Sequence, residues 1–133
     1  MLKIIFISVV ALACLVAGLL YFFIYRHVGY KIIDSKVVYV SWNEGNGFQE
    51  LPMKADSASF SKIDDKYGKD KSSVFFVGRL IEGADPLTFE RISVDKSQVE
   101  DVYGKDKNHV FKFSEILPGV NPATFVPKNE NLD

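Results

Sequence analysis

The sequence predicts a mainly β fold, with one N-terminal transmembrane helix followed by a small antiparallel β-repeat domain of about three units, each a hairpin plus a short Asp/Asn-Pro helical turn. Three observations carry that expectation. Residues Ile4 to Tyr25 form a run of 22 in which only Ser8 and Gly18 fall outside the apolar set. The chain then repeats itself after 36 residues. The repeated stretches are short, aromatic and β-branched with turn residues between them, which suits strands better than helices. The average of 47% hydrophobic over 133 residues therefore describes neither part, since beyond Tyr25 only 41 of 108 residues are apolar and 32 are charged. The domain organisation expected is an anchor over 1–27 and a β-repeat domain over 28–133, large enough for one core and too small for two ordinary ones.

The apolar run comes first. At 1.5 Å per residue a 22-residue helix is about 33 Å long, which matches a hydrocarbon layer of roughly 30 Å. A cleavable signal peptide would instead stop at a small-x-small site after a short apolar core. Ala11-Leu12-Ala13 offers such a site, but the run continues through Leu15, Val16, Leu19, Leu20, Phe22 and Phe23. A lipid-modified Cys14 is the other alternative, and it too is followed by apolar residues. Tyr21, Tyr25, Arg26 and His27 supply the amphipathic rings and charges that belong at a membrane boundary. Orientation is undecided by charge, because Lys3 and the α-amino group on one side face Arg26, Lys31 and Lys36 on the other. With Cys14 as the single cysteine, the domain holds no internal disulfide.

The repeat follows. Tyr67-Gly68-Lys69-Asp70-Lys71-Ser72-Ser73-Val74-Phe75 returns as Tyr103-Gly104-Lys105-Asp106-Lys107-Asn108-His109-Val110-Phe111, and the register runs on to Phe89/Phe125 with 11 identities in 23 positions. A worn copy lies upstream, with Lys36-Val37-Val38-Tyr39-Val40 matching the Val-Phe strand and Ala55 to Ile63 following Ala84 to Ile92. Pairing Val38 with Val74 leaves about seven extra residues around Trp42 to Phe48. The units are thus placed at about 36–63, 67–92 and 103–127.

Within a unit, Val74 to Val77 and Val110 to Phe113 read as strands, the second alternating so that Val110 and Lys112 share one face and Phe111 and Phe113 the other. Gly78-Arg79 and Ser114-Glu115 read as turns. Asp85-Pro86 and Asn121-Pro122 start a single helical turn, the Asp or Asn accepting backbone N–H groups and the Pro holding a first helical position. Phe75, Phe89, Phe111 and Phe125 read as core. Lys-Asp-Lys-Ser/Asn reads as a tight turn in which Asp70 and Asp106 bond their own backbone.

These motifs, in particular Asp106-Lys107-Asn108 with Phe111 and Gly83-Ala84-Asp85-Pro86 with Phe89, resemble the DKNYY family of bacterial repeats. Asp70-Lys71-Ser72 departs from the Asp-Lys-Asn step, and both copies carry Phe where the family often has Tyr. The resemblance covers 36–127 if the worn copy is included and implies a bacterial envelope protein built of small β units. It implies no activity.

The residues themselves point away from catalysis and cofactors. His27 stands at the membrane edge, and His109 occupies a turn position that is Ser73 in the other copy, so neither makes a positioned base. Two separate histidines and Cys14 do not give zinc spacing, and Asp64-Asp65 and Glu100-Asp101 do not give a calcium ladder. Gly68-Lys69 and Gly104-Lys105 lack the upstream glycine of a phosphate loop. Sixteen basic against 17 acidic residues give a net charge of −1, without the basic footprint of a nucleic-acid binder. No cofactor, metal, nucleic acid or small-molecule substrate is expected.

What remains as a candidate site is the insertion, where Trp42 and Phe48 flank the polar glycine loop holding Asn43, Glu44 and Asn46, because loops on a rigid scaffold carry much of binding. The function expected is a membrane-anchored, non-enzymatic module that binds a protein partner through these five residues. An immunity protein against an envelope-targeted toxin is its most concrete form. A structural or accessory component of an envelope or cell-wall complex is the alternative. With the resemblance, the location expected is the bacterial inner membrane, crossed once by residues 4–25, with the domain in the periplasm.

Overall fold

Why the chain after the helix breaks into short strands is visible in its hairpin turns. The computed structural model describes residues 2–93 and 102–127. One helix, α1 (Leu2–His27), leads into β1 (Gly29–Ile33), β2 (Lys36–Asn43) and β3 (Gly47–Pro52), which form a three-stranded antiparallel sheet. The second sheet runs β4 (Ser61–Lys62), β5 (Tyr67–Lys69), β6 (Val74–Phe76) and β7 (Arg79–Leu80). The third repeats it with β8 (Glu90–Arg91), β9 (Tyr103–Lys105), β10 (Val110–Lys112) and β11 (Glu115–Ile116). Among the described residues the fold is therefore mainly β, antiparallel, with one helix, as the sequence predicts.

Membrane crossing is a separate matter. No helix among the described residues is long and apolar enough to cross a membrane. The spanning role expected for residues 4–25 is not supported by the fold and stands as a proposal.

Several boundaries shift for physical reasons. The first unit begins at Gly29 instead of residue 36, because β1 supplies the strand that β5 and β9 supply later. Val37, not Val38, matches Val74 and Val110: all three are fully buried, and their carbonyls accept the N–H of Met53, Ile81 and Leu117 respectively. The turns fall one residue earlier than the sequence suggests. Val77 and Gly78 both have positive φ, and so does Phe113, which leaves the strand and is 41% exposed. A left-handed first turn residue matches the right-handed twist of the flanking strands, which is why strand alternation stops at Lys112. The last strand of the first and second units also crosses over: β4 pairs with β5 and β8 with β9, so each of these two units contributes a short edge to the next sheet.

The Asp-Pro turn is one turn long, with Phe89 N–H donating to Asp85 O at 2.9 Å and Phe125 N–H to Asn121 O at 3.0 Å. Asp85 and Asn121 side chains accept the N–H of Leu87 and Ala123, as their capping role requires. These turns aim a phenylalanine at the following unit. The core is built on that contact: Tyr67, Val74, Ile81, Phe89 and Phe111 pack together, while Phe75 is buried and Phe125, at the last turn, is half-buried.

Three further contacts lock unit to unit. The Phe89 ring lies so close to Gly104 that a Cβ there would be 2.4 Å from its tip, and Phe60 stands against Gly68 in the same way. Tyr30 donates its hydroxyl proton to Lys66 O, and Tyr67 to Val102 O at 2.6 Å. Asp70, besides accepting Ser72 and Ser73 N–H from its own turn, accepts Asp56 N–H from the preceding unit at 2.8 Å. Asp106 does the same with Asn108, His109 and, from the preceding unit, Asp85. An Asp in this turn is thus a clamp between units as well as a turn former.

Candidate functional site

The β2–β3 hairpin is where the first unit departs from the other two. Eight residues of β2 and six of β3 replace the three and two of β6 and β7, so the hairpin projects beyond the repeat. Its tip is closed by Asn46 N–H to Asn43 O at 3.2 Å, and Gly45 N–H donates to the Asn43 side-chain oxygen at 2.8 Å. Gly47 follows with φ of 69°, the left-handed residue that returns a three-residue loop to its strand. Asn43 and Asn46 are therefore occupied in making the turn, and Glu44 is exposed at its end.

Trp42 and Phe48 are not loop residues. They face each other across β2 and β3 with ring centroids 5.0 Å apart. Phe48 also lies 6.2 Å from Phe23 and 5.4 Å from His27 of α1, whose own rings are 4.1 Å apart. The His27 Nδ1–H donates to Phe23 O at 2.6 Å, which fixes the ring against the last turns of the helix. Four rings thus join the hairpin to the helix end. The cluster stays open on its outer side, with Trp42 42% and Phe48 36% exposed.

The structure brings together all five residues expected from the sequence, but in two roles: Trp42 and Phe48 in the ring cluster, Asn43, Glu44 and Asn46 in the turn that presents it. Sequence reasoning missed Phe23 and His27 as their neighbours. Their spacing of four on the terminal turns of an apolar run was the available signal.

Elsewhere the polar groups serve the fold. Burial pushes the Tyr30 and Tyr39 hydroxyls above the ordinary phenol range. His109 Nδ1 is buried without a hydrogen-bond partner, 3.8 Å from an Asp106 oxygen already shared by two backbone N–H groups. Among the described residues, no three His, Cys, Asp or Glu side chains converge on a point where a metal ion could sit. Asp64 caps Lys66 and Tyr67 and pairs with Arg91, while the corresponding Glu100-Asp101 lies outside the described residues, as does the terminal stretch from Lys128.

The sequence model of one family, described as the DKNYY family, matches residues 19–115. No curated protein and no solved structure matches the chain.

Proposed function

The chain belongs to the DKNYY family, and from that footing we propose that it is a membrane-anchored, non-enzymatic module of the bacterial envelope that binds a protein partner through the end of the β2–β3 hairpin. Residues 4–25 cross the inner membrane once in this reading, with the repeat domain on the periplasmic side.

The observation that carries it is the surface of α1. Val9, Val10, Leu12, Leu15, Val16, Leu19, Leu20, Phe22 and Phe23 are all exposed, between 46% and 63%. At 100° per residue eight of these positions lie within one arc of about 160°, and the far side carries Val10 and Tyr21 with the exposed Ala11, Cys14 and Ala17, so bare apolar surface runs round the helix and no single protein face covers it. A helix apolar on every side and left bare by its own chain is stabilised by lipid. Tyr21 and Arg26 lie in the last two turns of the helix and the Trp42–Phe48 pair meets it at Phe23 and His27, where amphipathic rings and cations favour the membrane boundary.

The partner reading rests on Trp42 and Phe48, large rings with open outer faces on a rigid hairpin. Alkaline carbonate extraction of native membranes tests the anchor: the chain stays in the pellet, and release into the supernatant refutes it. Site-specific crosslinking from position 44 tests the partner. A discrete adduct lost in a Trp42→Ala/Phe48→Ala chain supports the reading, and an adduct unchanged by those substitutions overturns it. Protection of cells from an envelope-directed toxin is the narrower form and is tested by rescue.

A further inference from the structure

The end of α1 also borders a groove that shares Phe23 and His27 with the ring cluster. Leu19, Leu20 and Phe23 line its floor, and Arg26, His27 and Lys31 stand at its upper end, the last from β1. Its volume is about 710 Å³, within the range of sites that hold a small organic ligand. Among the described residues no carboxylate lines it. Arg26 lies over the Phe22 ring with its guanidinium carbon 5.7 Å from the centroid, a cation–π contact on the helix surface. A short apolar channel bordered by Arg26 and Lys31 is complementary to one kind of molecule, an anionic head joined to a hydrocarbon chain.

We propose that this groove is a binding site for an anionic phospholipid, its phosphate held between Arg26 and Lys31 and one acyl chain laid along Leu19, Leu20 and Phe23. The proposal rests on the membrane reading above and deepens it. Arg26 and His27 come from the helix and Lys31 from the sheet, so a phosphate bound between them ties the domain to the anchor. The seated lipid then fixes the height and tilt of the hairpin rings at the boundary. Arginine supplies the bidentate fork for phosphate oxygens, and lysine a point charge from the opposite wall.

The test uses the full chain purified in neutral detergent and placed in bilayer nanodiscs of phosphatidylcholine containing a minor share of phosphatidylglycerol. Native mass spectrometry reads which lipid the chain retains. The expected result is enrichment of phosphatidylglycerol among retained lipids, falling about fivefold for each of Arg26→Gln and Lys31→Gln. A control pair, Lys36→Gln/Lys54→Gln, removes two positive charges outside the groove, one more than either test variant, and leaves the enrichment in place. Equal retention of both lipids overturns the proposal, as does an equal loss in the control pair, which would mean net charge and not a site. Displacement of retained lipid by millimolar inorganic phosphate also overturns it, in favour of a free-anion site. Failure of the chain to enter phosphatidylcholine nanodiscs at all would instead refute the membrane reading, so the two failures are distinguishable.

Discussion

Replacing Gly104 with alanine separates the interlocking account from ordinary strand behaviour, because the two give opposite signs. Gly104 lies inside β9 at a backbone conformation open to any residue, and an alanine in a strand interior ordinarily stabilises by about 0.5–1 kcal/mol. Here its Cβ would stand 2.4, 2.9 and 3.4 Å from three atoms of the Phe89 ring, so the ring must retreat by about 1 Å to reach normal contact. It has nowhere to go. Phe89 is 4% exposed, with the Tyr67 ring at 5.4 Å and the Phe111 ring at 5.9 Å. Forcing such a shift in a packed core costs about 1–3 kcal/mol. The net expectation is a loss of about 1–2 kcal/mol, a urea midpoint lower by roughly 0.5–1 M. Tyrosine and Trp42 fluorescence of the full chain in mild detergent reads it. Gly68→Ala should cost less, because its clash is with Phe60, a half-buried ring free to swing outward. Adding Phe89→Leu to Gly104→Ala removes the ring tip and should recover part of the loss, giving a coupling of about 0.5–2 kcal/mol. A Gly104→Ala chain as stable as the parent, or a double variant whose losses simply add, would refute the reasoning.

Asp106→Ala leaves the N–H groups of Asp85, Asn108 and His109 without their carboxylate, and should cost about 2–4 kcal/mol. Asp106→Asn keeps one acceptor oxygen and should cost less; faster amide exchange at Asp85 in the alanine variant checks that the loss is at the clamp. Stability should also fall in acid. Lys71 holds the Asp56 carboxyl below its ordinary range and Lys107 does so for Asp85; burial pushes Asp70 up, but N–H donors from Asp56, Ser72 and Ser73 outweigh it and leave it lowered. A group whose folded value is depressed contributes fully above its unfolded value of about 3.9 and loses that contribution as pH falls through the folded value. The melting temperature should thus be flat between about pH 6 and 5 and drop below about pH 4, less steeply for Asp70→Asn; a melting temperature that rises on acidification contradicts this. Finally, Val77 is β-branched yet sits at φ of 50° beside left-handed Gly78, so Val77→Asn should raise stability by about 1 kcal/mol, and a lower urea midpoint would show that the valine contacts outweigh the strain.

How far the fold could be read in the sequence depended on whether a residue acts within its unit or between units. Asp70 and Asp106 as turn formers, and Asp85 and Asn121 as caps, act over two or three residues, so spacing alone revealed them. Their second bonds, from Asp56 to Asp70 and from Asp85 to Asp106, span 14 and 21 residues and leave no local mark. Gly68 and Gly104 show the same limit. They stand inside a repeated Tyr-Gly-Lys that reads locally as an ordinary strand start, while the reason for glycine is a ring from the unit before. The turn at Val77 and Phe113 was misplaced because neither residue advertises positive φ. Of the candidate site, the residues were legible as an insertion. Their pairing across two strands and the contact with Phe23 and His27 were not, since the insertion lengthens an existing hairpin instead of adding a separate loop.

The worn state of the first unit follows from what it touches. Tyr30 occupies the place of Tyr67 and Tyr103: its ring meets Phe60 at 5.3 Å as theirs meet Phe89 and Phe125 at 5.4 and 5.5 Å. The next residue is Lys31, where the other units have Gly68 and Gly104, and a direct two-residue turn at Asp34-Ser35 replaces the Asp-Lys clamp. Those glycines and aspartates exist to receive a ring and an N–H from a preceding unit. The first unit follows α1 instead of a β unit, so there is no preceding ring for a glycine to admit and no preceding N–H for an aspartate to receive. What the unit gained is a hairpin long enough for Phe48 to reach Phe23 and His27. The features lost and the feature gained are thus one exchange, in which contact with a β unit gives way to contact with the helix. That places the distinctive surface of this chain at its junction with α1, and both the hairpin rings and the cationic groove lie there.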